Sequence, residues 1–264
     1  MFFLYLNSMY KFLYIIFLLV IFFIFHYTNN EALENFYTKD KEIEYVFWTG
    51  GYDSTFIICK FLLLDKKKVQ PIYINSSIDN CKFCFTHRRN RDKELLARNE
   101  IIKLIKKKYP KESKNLLPVK TVNFVNNNKN ITNEINKMKI FSRKYNQYEA
   151  MSRYTKFHKL EVNIGSVGII GEDGKNLPDD NWGTFLRNNL KNIKDNYRIP
   201  DKNGPLYYIK FPIAFLSKEK LLKIAKKHKF DDILDLSWSC WFPKDNKPCG
   251  NCNMCKERII KHQI

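Results

Sequence analysis

Residues 43–48 (IEYVFW) run without a break into Thr49-Gly50-Gly51-Tyr52-Asp53-Ser54-Thr55, and from there into the apolar stretch 56–64. This junction limits the fold more than any other feature of the chain. A short apolar run rich in β-branched and aromatic residues reads as a buried strand, and the stretch beyond the loop reads as a helix. The paired glycines let the backbone turn sharply between them. The alternation continues downstream. Strands are expected at 69–75, 119–124, 162–170 and 207–212, with helices at 91–108, 148–160, 180–193 and 217–228. The first of these helices shows helical spacing through Leu95, Leu96, Ile101, Ile102 and Ile105, and Glu219 falls early in the last. Residues 126–136, rich in Asn and Lys, read as an exposed loop. Strands alternating with helices give an α/β fold class, a mainly parallel sheet with helices on both faces. A chain of 264 residues supports one globular core.

The loop at 49–55 falls at the carboxyl end of a strand, where such sheets bind ligands. Gly50 and Gly51 expose backbone N–H groups to an anion, Thr49, Ser54 and Thr55 add hydroxyl donors, and the next helix points its positive end at the same place. Asp53 would repel a phosphate on its own and fits a Mg²⁺ partner instead. A plain strand-to-helix turn accounts for the same glycines and for an Asp or Ser cap, so the loop alone leaves function open. It is not a Walker loop, because the Gly-Lys-Ser/Thr ending is absent.

The strongest chemical signal lies near the other end. Cys240, Cys249, Cys252 and Cys255 follow metal-ligand spacing, with Gly250 permitting a tight turn. Each Cys-x2-Cys step brings two thiolates to one ion, and four sulfurs leave no open position, which suits structural Zn²⁺. An iron–sulfur cluster and disulfides are the competing readings. Metal binding would fold this tail onto the domain.

Residues 12–25 are an unbroken apolar run, extended by Met9, Tyr10 and Tyr27. With those flanks the segment at 9–27 approaches the ~20 residues that cross a bilayer. It predicts a single-pass membrane anchor over residues 1–28, followed by a polar linker at 29–42. A cleaved signal, a misplaced start or a buried helix are the rivals, and no small-x-small cleavage site follows the run. Lys and Arg near its ends give almost no orientation bias. Four of the seven cysteines sit at metal spacing, so their thiols are expected to be reduced and the globular domain to face the cytosol. The net charge of +19 raises nucleic acid as a partner. Its lysines are spread throughout, however, and the stretches 103–108 and 220–229 read as solvated helix faces. A basic surface would equally suit anionic lipid. The oligomeric state stays open, a homodimer included.

WTGGYDST resembles the strand-SGGxDS-helix signature of the PP-loop ATP pyrophosphatases, with Thr49 in place of the first Ser. The block SWSCW, the cysteine spacing and Lys256-Glu257-Arg258 are similar to the C-terminus of the 7-cyano-7-deazaguanine synthases, the QueC-like proteins. Phe211-Pro212 and Ser217-Lys218 resemble the segment ahead of that tail. Thr86-His87-Arg88 and Glu94-Leu95 echo the family's Gln-Arg-His…Glu stretch. The resemblance spans about residues 43–260. It implies a Rossmann-like fold of the HUP (adenine nucleotide alpha hydrolase-like) kind, with an ATP-binding domain at 43–235 and a zinc-binding tail at 236–264. It also implies that ATP adenylates a carboxylate-bearing, purine-like acceptor, 7-carboxy-7-deazaguanine in that family, and that ammonia converts the acyl-adenylate to an amide and then, with more ATP, to a nitrile. By the same resemblance Thr49, Gly50, Gly51, Ser54 and Thr55 would cradle pyrophosphate, Asp53 would sit near Mg²⁺, and Lys218 would contact phosphate.

The middle of the chain departs from the family. Its Pro-Gly-Arg-Asn motif is missing, residues 141–146 standing in that region, and its Tyr-Pro-Asp-Cys-Arg motif is reduced to Leu177-Pro178-Asp179-Asp180-Asn181. ATP chemistry can persist while the acceptor changes. Cys81-x2-Cys84 is unexplained, and keeps open a PP-loop enzyme that thiolates RNA with this pair. A catalytically inactive, membrane-anchored nucleotide-binding scaffold is the third reading. His87, His158, His228 and His262 show no ligand spacing.

Overall fold

The computed structural model describes residues 43–75, 90–123, 129–138, 147–167, 181–193 and 196–252, together with residues 254, 255 and 258. The expected anchor and linker, Cys81 and Cys84, and residues 141–146 and 177–180 lie outside the described residues. Among the described residues, no helix is long and apolar enough to cross a membrane.

Strands β1 (Ile43–Phe47), β2 (Lys68–Ile74), β3 (Lys120–Val122), β4 (Val162–Asn163), β5 (Lys191–Ile193), β6 (Asn196–Arg198) and β7 (Ile209–Lys210) make one sheet in the order β3-β2-β1-β4-β7-β6-β5. β2 pairs parallel with β3, β1 with β4, and β4 with β7, in registers that set Ile72 beside Lys120, Val46 beside Asn163 and Val162 beside Ile209. The sheet is thus mainly parallel, as expected, with an antiparallel edge made by β5, β6 and β7. Its order runs outward from β1 to β3 and then returns to β4 on the other side of β1. That reversal opens a crevice at the carboxyl ends of β1 and β4, where open α/β sheets take their ligands.

Two cores lie on the two faces of the sheet. Side chains alternate along β1, so Val46 and Trp48 enter one core and Phe47 the other. The first core is roofed by α1 (Tyr52–Cys59) with its wider π-helical continuation Lys60–Leu64, by α2 (Arg91–Lys108), and by α6 (Lys218–Lys227) and α7 (Asp231–Asp235). The second is roofed by α3 (Lys129–Lys137), α4 (Gln147–His158) and α5 (Asn181–Asn189).

Four expectations need correction. Residues 129–137 are a helix rather than an exposed loop, because Ile131 and Ile135, one turn apart, are buried in the second core. The helix expected to reach residue 193 ends at Asn189, and Lys191–Ile193 turns into an edge strand paired with Asn196–Arg198. α1 begins at Tyr52, so Asp53, Ser54 and Thr55 form its first turn instead of a loop before it. Finally, Leu95 and Leu96 of α2 are about half exposed, while Glu94 and Arg98 occupy the buried positions of that turn.

Candidate active site and metal centre

The cleft at the reversal point is lined by Thr49, Gly51, Asp53, Ser54 and Lys218. Gly51 caps α1 in extended conformation, and no side chain caps the helix. Gly51 itself offers no side-chain acceptor to the first-turn N–H groups, which suits an anion-binding helix start. Thr49 Oγ1 accepts from the Gly51 N–H at 3.3 Å, and Ser54 Oγ donates to the Gly51 carbonyl at 3.2 Å. These two short-range bonds fix the loop's shape.

Neighbours hold the loop from behind. Gly50 has φ +84, and a Cβ there would stand 3.0 Å from both Arg98 Cγ and the Glu94 carbonyl oxygen, so α2 packs directly on its backbone. The Arg98 guanidinium donates to the Thr49 carbonyl at 3.3 Å, and the Trp238 N–H donates to the Gly50 carbonyl at 2.9 Å. Gly165, just past β4, was given no role by the motif comparison. A Cβ on it would lie 2.6 Å from Ser54 N and 2.7 Å from the Asp53 carbonyl carbon. Its only signal in the sequence is a glycine soon after a strand, the type of residue that permits close helix–strand approach.

α6 delivers Lys218. Ser217 caps that helix by accepting from the Lys220 N–H at 3.1 Å, and the Lys218 ammonium reaches to 3.9 Å from Asp53 Oδ2. Asp53 and Lys218, expected to act on metal and phosphate respectively, thus meet at one point. Thr55 is turned inward. It is fully buried, and its hydroxyl accepts from the Trp48 indole N–H at 3.0 Å. Thr49, Gly51, Asp53, Ser54 and Lys218 share the cleft, whereas Gly50 and Thr55 sit behind it.

The cleft is also lined by residues that motif reading passed over or noted faintly: Asn90, Glu94, Gln147, Tyr148, Trp238 and Trp241. Glu94 is buried, accepting from the Tyr73 hydroxyl at 3.0 Å and from Asn90 Nδ2 at 3.1 Å. Burial, then the charge of Glu94, pushes the Tyr73 phenol up to about 12, so it stays a donor. The Arg98 guanidinium stacks 3.8 Å from the centre of the Tyr73 ring. The signal was present in α2, where charged residues occupy the inward-facing positions 94 and 98.

The cysteine tail closes the cleft. Sγ atoms of Cys240, Cys249, Cys252 and Cys255 lie within 4.8 Å of one another. Zn–S bonds of about 2.3 Å in a tetrahedron set sulfurs roughly 3.8 Å apart, and Cys249 and Cys255 stand at 3.9 Å. The fit is good for a metal such as zinc. Gly250, at φ +74, makes the turn. The N–H groups of Cys252 and Asn251 hold the Cys249 thiol down at about 6, whereas burial pushes Cys255 up to about 12 and Cys240 upward as well. The Cys249 thiol is thereby held toward its thiolate, the form that ligates a metal. Arg258 donates to the carbonyls of Ser237 and Asp235, and the Trp238 indole donates to the Cys240 carbonyl at 2.8 Å. Trp238, Ser239, Trp241 and Met254 thereby become part of the cleft wall.

The curated 7-cyano-7-deazaguanine synthase of Campylobacter curvus (strain 525.92) is 30% identical over 95 residues, covering 35% of this chain and 38% of that protein. The family model for the queuosine biosynthesis protein QueC matches residues 45–261. Its span begins in β1, takes in the glycine loop and α6, and ends beyond the four cysteines, and the chain belongs to the QueC family.

Proposed function

We propose that this protein is an ATP-dependent synthase that activates the carboxylate of a 7-deazaguanine-type acceptor as an acyl-adenylate and passes the acyl carbon to ammonia. One observation carries the reading: a glycine-capped helix start, Asp53 and Lys218 face one cleft that polar and aromatic side chains also line. A carboxylate oxygen is a poor leaving group and adenylate a good one, so activation must precede nitrogen attack. The acceptor oxygen attacks the α-phosphorus of ATP and pyrophosphate departs. Ammonia then adds to the acyl carbon, AMP leaves with the electrons of the C–O bond, and the nitrogen sheds a proton. A second ATP activates the amide oxygen in the same way, and loss of AMP and protons from nitrogen yields the nitrile.

The residues present supply electrostatics for these steps. The α1 N-terminus and Lys218 oppose the charge that builds on the departing pyrophosphate. Asp53 suits Mg²⁺, which takes one or two carboxylates and completes its shell with phosphate oxygens and water. Bound there, the ion would neutralise phosphate charge. Cys240, Cys249, Cys252 and Cys255 would hold Zn²⁺, which contributes a crosslink and no open coordination position.

Incubation with ATP, ammonium and 7-carboxy-7-deazaguanine tests the reading. AMP and pyrophosphate should appear as the acceptor is consumed, and Lys218→Ala should lower kcat/KM by about 10²-fold, the usual effect of removing one such stabilising group. Release of ADP and phosphate in place of AMP would overturn it, as would absence of any acceptor-dependent turnover.

A further inference from the structure

Asn90 begins α2, a position where Asn ordinarily spends its side-chain oxygen on the first N–H groups of the helix. Here it makes no such cap. Its Nδ2 donates to Glu94 at 3.1 Å instead, and Oδ1 is buried with no hydrogen-bond partner among the described residues, in a side chain only 2% exposed on the cleft wall. The opposite assignment of the amide would press its oxygen against the Glu94 carboxylate, so chemistry fixes the orientation. Tyr73 donates to the other Glu94 oxygen at 3.0 Å and holds that carboxylate in place. A buried acceptor left without a donor is costly, and a folded protein keeps one where something else supplies the donor.

Resting on the reading of the cleft as an acceptor-activating site, we propose that Asn90, oriented by Glu94, determines specificity by reading adjacent donors on the acceptor, the ring N–H and exocyclic amine of a guanine-like pyrimidine edge. Asn90 Oδ1 and the Glu94 carboxylate together present acceptors. A guanine-like edge offers two donors side by side and matches them. The adenine of ATP offers one amine next to a ring-nitrogen lone pair, which a carboxylate repels, so this wall suits the acceptor and not the nucleotide. Trp238, Trp241 and Tyr148 line the same cleft and offer aromatic faces to a planar ring. A site built around such hydrogen bonds rejects a ligand lacking the donor far more strongly than an apolar pocket rejects a missing methylene.

Calorimetric binding of 7-deazaguanine and of 7-deazahypoxanthine, the same ring without the exocyclic amine, tests this without any turnover. The wild type should prefer 7-deazaguanine by at least about 10-fold. Asn90→Leu should bring the two affinities within about 3-fold while the affinity for a non-hydrolysable ATP analogue moves less than about 2-fold, a split expected if the residue touches only one ligand. Asn90→Ser leaves a favourable residue type at the helix start and serves where the Leu variant folds poorly; its shorter side chain should lose the preference as well. A preference that survives in a folded variant would overturn the proposal, as would a wild type with no preference. Weakened binding of the ATP analogue with the preference intact would reassign Asn90 to adenine and also overturn it. Failure of the synthase reading would look different: the amine preference would persist although ATP and 7-carboxy-7-deazaguanine gave no AMP.

Discussion

Gly165 and Gly51 both touch the nucleotide loop, but they differ in what stands where a side chain would go. At Gly165 the nearest atoms are backbone, Ser54 N at 2.6 Å and the Asp53 carbonyl carbon at 2.7 Å. Backbone in the first turn of a buried helix cannot step aside without moving the helix. At Gly51 the nearest atom is the tip of Thr49, its Oγ1 at 3.2 Å, and φ is −76, open to any residue. Gly165→Ala should therefore cost about 1–3 kcal/mol of stability, an overpacking effect. Gly51→Ala should cost less than about 1 kcal/mol, because a small rotation relieves the contact. Urea unfolding of the two variants checks the order. Equal losses, or a larger loss at Gly51, would mean that β4 does not press on α1 as described. The signature loop pointed to Gly51 and passed over Gly165, since close approach of β4 to α1 is a property of the folded sheet.

At the scale of elements, charges tie the strands of the sheet to one another. Glu44 on β1 meets Lys67 at 2.6 Å and Lys210 of β7 at 3.7 Å, and accepts from Asn163 of β4 at 3.0 Å. Beside it, Glu161 pairs with Arg198 at 2.6 Å and with Lys210 at 3.3 Å. Burial alone would raise the Glu44 pKa, but the Lys67 hydrogen bond and the Lys210 charge outweigh it and hold the carboxyl below its ordinary value of 4.5. Glu161 is lowered for the same kind of reason. A depressed carboxyl pKa stabilises the fold above the unfolded value, and that stability is lost as pH falls through the lower folded value. Glu44→Gln should accordingly lower Tm at pH 7 by roughly 2–4 °C, about 1 kcal/mol, and flatten the decline of Tm below pH 4.5. Thermal unfolding across that range decides it, and an unchanged acid limb would remove Glu44 from the account. The same scale explains what could be read beforehand. β1, α1 and α6 were legible because apolar runs, glycines and caps are local signals. α3 was not, because only Ile131 and Ile135 mark its buried face amid Asn and Lys. α2 was placed correctly but turned wrongly: apolar periodicity chose Leu95 and Leu96, whereas the fold buries Glu94 and Arg98 to build the cleft wall and clamp the loop. A rule of hydrophobic spacing fails where a helix gives its inner face to a site.

Across the whole molecule, segments from the two halves of the matched span meet where the Trp238 N–H donates to the Gly50 carbonyl. The loop proposed to cradle the phosphates is thus braced by the segment that leads into the cysteines. That segment has little apolar burial to hold it. Cys240 and Cys255 are buried, but Phe242 is exposed, and residues 244–248 are exposed as well. Its order depends on Arg258 bonding back to Ser237 and Asp235, on Trp238 bonding to Cys240, and on whatever joins the four sulfurs. A metal bound by those sulfurs stabilises only the folded arrangement, so its binding energy becomes folding energy of the tail. The brace on Gly50 should then fail when the metal leaves, even though no cysteine touches the nucleotide. Chelation under reducing conditions, or Cys252→Ser, should lower Tm by roughly 5–10 °C, as about 2–3 kcal/mol does in a chain of this size. It should also weaken binding of an ATP analogue at least about tenfold, or 1.4 kcal/mol. Metal content measured beside Tm and affinity links the two effects. An affinity that holds while Tm falls would show that α2, through Arg98 and the close packing on Gly50, keeps the loop in shape without the tail.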